Sequence, residues 1–271
     1  MQNNLYKTKH KLWLEILFAS FAINDEEIKT RLYDFSQIAF RHMKWLGEDI
    51  VNNNASYNYE RDNMVLFKRE SVFELIQSLK NSIEKTQHLY KSNALHYRIS
   101  TDDDYLIEYL AQILKNRENN QEITAFDMKR KWLDKNLAQD QIDALTMFLF
   151  EESYKEYELI LVYAFMQART NHRNQFSIFE DLIAESHFHL KSFGNMMAKM
   201  GILALPRELH ELTYVIKDLN KFVIDGIKEE EAAKEMCKEL SEAIKDEELA
   251  KFFDFINFQE SYHIELMQKL L

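Results

Sequence analysis

The sequence predicts an all-α protein built as two four-helix units in tandem. Three observations predict it. Four glycines and a single proline, Pro206, in 271 residues are too few for the turns of an all-β or α/β chain. Apolar residues recur at helical spacing between charged breaks. A gapless shift of 147 residues also lays one half of the chain on the other.

Taken in order, the periodicity predicts helices near 5–24, 26–53, 70–97 and 103–120, then 138–171, 176–200, 208–242 and 247–271. Asn24-Asp25 separates the first two helices, and Asp102 to Asp104 are read as a cap for the fourth. The segment 121–137, QEITAFDMKRKWLDKNL, fits neither set of four and reads as a linker whose Phe126, Met128 and Trp132 pack against something. Asn171-His172 parts the fifth helix from the sixth, and Gly201 with Pro206 flanks a loop before the seventh. The expected domains are therefore a unit over 1–120, a linker over 121–137 and a unit over 138–271.

The shift superposes His42-Met43-Lys44 on His189-Leu190-Lys191, Gly47 on Gly194, Asn24 on Asn171 and Tyr90 on Cys237. It also carries Leu12, Trp13, Ile16 and Leu17 onto Leu159, Ile160, Tyr163 and Ala164, which preserves an apolar helix face. One constant offset across three helices is what duplication of a four-helix unit would leave.

Charge narrows the functional classes. A net charge of -11 and a pI near 5.4 repel a nucleic-acid backbone and an anionic membrane surface, so neither is an expected partner. The lone Cys237 excludes an intrachain disulfide and any four-cysteine metal module in this chain. No signal-peptide pattern is visible, and runs such as LILVYAF at 159–165 are too short to span a bilayer. A cytoplasmic monomer or homodimer is the expectation.

A four-helix bundle holding two metals presents a Glu from each of two helices and a Glu-x-x-His from each of the other two. The second half offers that set. Helix 5 supplies Glu156, helix 7 supplies Glu230, and helix 8 supplies Glu260 with His263 in FQESYHIELM. Helix 6 supplies His189 in IAESHFHLKSFG, where Ser186 stands at the position of the motif's Glu and Glu185 is its neighbour. Glu185 enters such a site through a local bulge or a tilted helix; otherwise Glu185 and His187 face elsewhere and five ligands remain. The same shift gives Lys9, Ala39, His42, Ile83, Ile113 and Asn116 in the first half, where only His42 is a metal ligand type. That half reads as a metal-free copy in which Glu15, Glu84 with His88, and Glu118 are solvated charges on helix sides, the alternative being that they give it a metal site of its own.

These residues resemble the ferritin-like di-iron carboxylate superfamily, particularly its rubrerythrin-related members. In that family a helix with E-x-x-A-x-x-x-Y precedes E-x-x-H by about thirty residues. Here Glu230, Ala233 and Cys237 precede Glu260 and His263, while Glu156, Leu159 and Tyr163 precede Ser186 and His189. Cys237 thus stands where the family has Tyr and reads as a small buried apolar side chain. The resemblance implies a metal set of Glu156, Glu185, His189, Glu230, Glu260 and His263, holding iron as a pair or a single ion, with manganese as the alternative. It implies reduction of peroxide or oxygen, with electrons from an external donor because the chain has no rubredoxin-type module. Iron binding or sensing without turnover, and a structural or interaction role with a vestigial site, are the alternatives.

Overall fold

A computed structural model describes residues 2–64, 71–116, 123 and 135–271. Every regular element among them is a helix. The chain divides into two compact units, Met1–Phe126 and Asp127–Leu271. This division falls within 121–137, whose Phe126, Met128 and Trp132 lie outside the described residues. Of that segment Lys135 is described, with Nζ 3.0 Å from Asp246 Oδ1 and 2.5 Å from Glu248 Oε2.

The first unit contains α1 (Gln2–Ala22), α2 (Glu26–Asn52), α3 (Val72–Glu84) and α4 (Ala94–Asn116). Asp25 starts α2 by accepting a hydrogen bond from the Ile28 backbone N–H at 3.1 Å, and Glu26 and Glu27 complement the positive end of the helix dipole. Ile28, Leu32, Phe35, Ala39, Met43, Leu46 and Ile50 then form its buried stripe. Helix α1 packs on α2 and α3, and α4 packs on α2 and α3, so the four close a ring.

The second unit contains α5 (Gln139–Gln167), α6 (Arg173–Lys199), a single turn α7 (Glu211–Tyr214), α8 (Leu219–Ala243) and α9 (Glu247–Gln268). Its four long helices show the same order of contact: α5 on α6 and α8, α9 on α6 and α8. Asp218 and Asp246 cap α8 and α9 by accepting from the backbone N–H of Lys221 and Leu249, each at 3.0 Å. Leu145, Leu149, Phe193, Met197, Cys237, Leu240, Phe253 and Ile256 form one apolar cluster between these helices. Phe148 closes it, meeting Phe193 and Phe253 edge-on at 5.6 and 5.4 Å between centroids.

Several expectations need correction. The helix expected over 70–97 ends at Glu84, and α4 starts at Ala94 rather than near 103. Thr86 Oγ1 turns back to the Ile83 carbonyl, and Asn93 Oδ1 accepts from the His96 backbone N–H at 2.8 Å, so Asn93 rather than Asp102 opens α4. Asp102 to Asp104 therefore lie inside the helix. The expected helix over 208–242 is interrupted between α7 and α8. Glu15 is only 2% exposed and has Lys11 Nζ at 3.7 Å, so it is not a solvated charge. Glu84 and His88 are exposed, and Glu118 lies outside the described residues. No helix among the described residues is long and apolar enough to cross a membrane.

Candidate metal centre

Beside the apolar cluster of the second unit the same four helices turn polar side chains inward. Glu156 follows Leu149 by two helical turns on α5, and Glu230 precedes Cys237 by two turns on α8. His189 lies about one turn before Phe193 on α6, and Glu260 about one turn after Ile256 on α9. The layer is dry: Glu156, His189, Glu230, Glu260 and His263 are all 3% exposed or less.

His189 sits at its centre. Its Nδ1 is 2.8 Å from Glu156 Oε1 and 3.4 Å from Glu260 Oε1, while its Nε2 is 3.3 Å from Gln259 Oε1. His263 Nδ1 lies 3.1 Å from Glu260 Oε2, and the two imidazole centroids are 5.0 Å apart. Three overlapping trios offer ligand atoms all within 4.8 Å of one another: Glu156, His189 and Glu260; Glu230, Glu260 and His263; Glu185, His189 and His263. Their union is the six residues expected from the sequence.

Glu185 reaches this group without a bulge. Helix α6 is regular from Arg173 to Lys199, and residues four apart share a face, so Glu185 stands one turn below His189. Half-buried, it accepts a hydrogen bond from Gln259 Nε2 at 3.2 Å. Ser186 is fully buried and His187 is buried too, but neither belongs to any of the trios.

Convergent acids perturb each other. Burial, reinforced by the Glu260 carboxylate, pushes Glu230 up to about 8. Glu260 rises to about 7, again chiefly through burial, which the His189 charge only partly opposes. Burial works to lower His189, yet the facing Glu156 carboxylate together with Glu260 and Glu230 outweighs it and lifts the imidazole to about 9. Glu156 is held below its usual range because its burial is outweighed by His189. Burial lowers His263. Without another cation, the layer balances its charge by retaining protons on the acids.

Sequence reasoning missed three neighbours. Glu152 is 4% exposed and pushed up to about 7 by burial. Its spacing of four from Glu156 was a usable signal, because it puts both acids on one face of α5. Lys155 extends its ammonium to 3.9 Å from Glu230 Oε2, and Gln259 bridges Glu185 and His189. Neither has a sequence signature, since long side chains reach a site from positions beside its face.

Cys237 belongs to the apolar cluster, and burial pushes its thiol well above the usual range. In the first unit the inward polar group is different. Lys9, only 1% exposed, places Nζ 2.6 Å from both carboxylate oxygens of Asp103. Tyr90 donates to Asp103 Oδ2 at 2.5 Å, and His42 Nε2 donates to Asp102 Oδ2 at 2.9 Å. Ile83 lines the same small cavity as Lys9, His42 and Asp103, as the shift expects. The α4 expectation fails: Asp103 and Leu106 line that cavity, whereas Ile113 is half-buried and Asn116 exposed near the helix end. The early start of α4 moves its inward face ten residues from the position given by the constant shift.

The donor set of the second unit suits a hard or borderline divalent cation. His263 Nε2 is a buried ring nitrogen with no hydrogen-bond partner among the described residues, as a nitrogen reserved for a metal would be. No family model matches the chain, and no curated protein or solved structure matches it.

Proposed function

We propose that the second unit is a non-haem iron centre of ferritin-like type, holding one or two ions, in a chain whose two units are tandem four-helix bundles. Manganese is the alternative ion. The centre acts in reduction of peroxide or oxygen, with electrons from an external donor. The observation that supports this most directly is the convergence of Glu156, Glu185, Glu230 and Glu260 with His189 and His263 around mutual distances that fit bridging and terminal ligands. Five buried or half-buried acids, Glu152 among them, face Lys155 and two imidazoles among the described residues; that is more negative charge than the layer can hold ionised, and a divalent cation relieves the excess.

Bound iron would supply the electrons that cleave an O–O bond. The protein's contribution is positional. Gln259 orients His189 through Nε2 while also fixing Glu185, and Nδ1, which faces Glu156 and Glu260, would be the nitrogen that a metal takes between those carboxylates. Glu260 lies between both histidines, so it can serve either of two ions. Lys155 beside Glu230 tempers the charge of that carboxylate.

The near-complete burial of five ligands favours a second reading, a protein that holds or senses iron without turnover. Metal analysis after growth in iron-supplemented medium tests both. Stoichiometric iron is expected in the wild type and in His42→Ala, with loss in Glu230→Ala and Glu260→Ala; a metal-free wild type overturns both readings. Peroxide consumption by the reduced protein then separates them, since a rate no faster than that of free ferrous ion leaves only the binding protein.

A further inference from the structure

A groove of about 480 Å³ opens between α5, α7 and α8 and ends on Glu230. Its walls are Leu159 from α5, Leu212 from α7, Ile216 from the following loop, and Phe222 from α8. Glu230 lines it while remaining 3% exposed, so the groove stops where the buried carboxylate layer begins. Such a volume lies within the range of roughly 300–1,000 Å³ typical of small-molecule sites, far more than water or hydrogen peroxide needs.

Charge at the groove selects among organic ligands. Asp218, Asp225, Glu229 and Glu230 face it against Lys217 and Lys221, and Lys221 is already paired with Asp225. Lys228 pairs with Asp225 as well, so an anionic ligand such as a fatty acid or an organic phosphate finds no excess positive charge there to hold it. A neutral molecule with an apolar body does not, and gains from covering Leu159, Ile216 and Phe222.

Resting on the iron reading above, we propose that this groove binds the organic part of a neutral hydroperoxide, ROOH, and directs its O–O bond toward the centre past Glu230. The reaction takes two electrons and two protons: the O–O bond breaks, and ROH and water leave. A centre holding two ferrous ions would supply those electrons, one from each ion, and an external one-electron donor would restore them.

The groove is tested first on metal-free protein, with cumyl alcohol as an unreactive analogue of the product. Calorimetry is expected to show saturable one-to-one binding, weakened by about tenfold or more in both Leu212→Arg and Ile216→Trp. Leu212 is 74% exposed, so its replacement leaves the core intact even where the tryptophan strains the fold. Absence of binding by the wild type, or binding unchanged in both variants, overturns the groove. With iron loaded, both variants keep wild-type metal content and hydrogen peroxide turnover but lose cumene hydroperoxide turnover. Equal slowing of the two peroxides overturns the organic assignment. A wild type that binds cumyl alcohol yet holds no iron removes the hydroperoxide chemistry and the iron reading while leaving the apolar site, so the two failures are distinguishable.

Discussion

The 147-residue shift pairs Lys9 with Glu156, and each takes part in the polar interior of its unit with opposite charge. In the first unit the lysine ammonium sits between the two oxygens of Asp103, so a buried carboxylate is neutralised by a cation carried on the chain. In the second unit acids outnumber the protein cations among the described residues, and burial biases Glu230 and Glu260 toward keeping their protons. A carboxylate in a dry helical interior needs a positive partner, and the two units meet that need by different means. The first means is carried on the chain, where burial lowers the Lys9 ammonium and Asp103 opposes that shift; the second leaves a place that a metal ion can take.

The strongest way to break this comparison is to remove the lysine. Lys9→Met leaves Asp103 buried beside Tyr90 and Thr86 without its cation, and is expected to destabilise the first unit by about 3–5 kcal/mol in urea unfolding. Iron content should not change. The double variant Lys9→Met/Asp103→Leu removes both charges and should recover most of the loss; if the single variant is as stable as the wild type, Lys9 does not stand in for a cation.

A second test uses pH on metal-free protein. Burial, followed by the Lys9 charge, depresses His42 to about 4; burial, followed by Arg61, depresses His10 to about 3. Their unfolded forms bind more protons below the ordinary histidine value, so their contribution to the first unit is present above about 6.5 and is lost as pH falls toward 4 and 3. Glu230 and Glu260 are displaced the other way. Their folded forms bind more protons, so that contribution is full below about 4.5 and is lost as pH rises through about 7 and 8. His189 adds to the second trend up to about 9, while the lowered His263 and Glu156 oppose it. Each unit of displacement corresponds to about 1.4 kcal/mol. Hydrogen exchange corrected for intrinsic rates should find the first unit opening more readily near pH 4 and the second near pH 8. Iron should flatten the second slope, and parallel slopes in both units would overturn the contrast.

Much of this contrast was legible in the sequence because helical periodicity places residues on faces without knowledge of the fold. Glu156, Glu230, Glu260, His189 and His263 lie on apolar faces, and the Glu and Glu-x-x-His layout of two-metal bundles, with the resemblance it carries, supplied the grouping. Glu185 was harder: measured against Ser186 it is one residue out of place, but measured against His189 it is one regular turn away. The Lys9–Asp103 pair was hidden by the Asp102–Asp104 run, which resembles a helix cap when its neighbours are unknown. Asn93 carried the true start of α4, and missing it displaced the inward face of the whole helix. Lys155 and Gln259 could not be found by face alone, because their functional atoms lie far from their backbones.

The finest distinction between the units lies at Tyr90 and Cys237, which the shift pairs but the structure separates: Tyr90 follows the end of α3, whereas Cys237 lies inside α8. Tyr90 donates its hydroxyl to Asp103, so it belongs to the charged interior of the first unit. Cys237 packs among Leu145, Phe253 and Ile256, on the apolar side of the carboxylate layer. Removing the hydroxyl in Tyr90→Phe withdraws a hydrogen bond from a buried carboxylate, at an expected cost of about 1–3 kcal/mol. Cys237→Ala removes one sulfur atom from a packed cluster, and about 1 kcal/mol is expected with no loss of iron. Urea unfolding and metal analysis of the two variants measure both effects. If Cys237→Ala released iron while leaving stability unchanged, the thiol would belong to the centre, and the boundary between apolar cluster and carboxylate layer would have to move by two helical turns along α8 to include it.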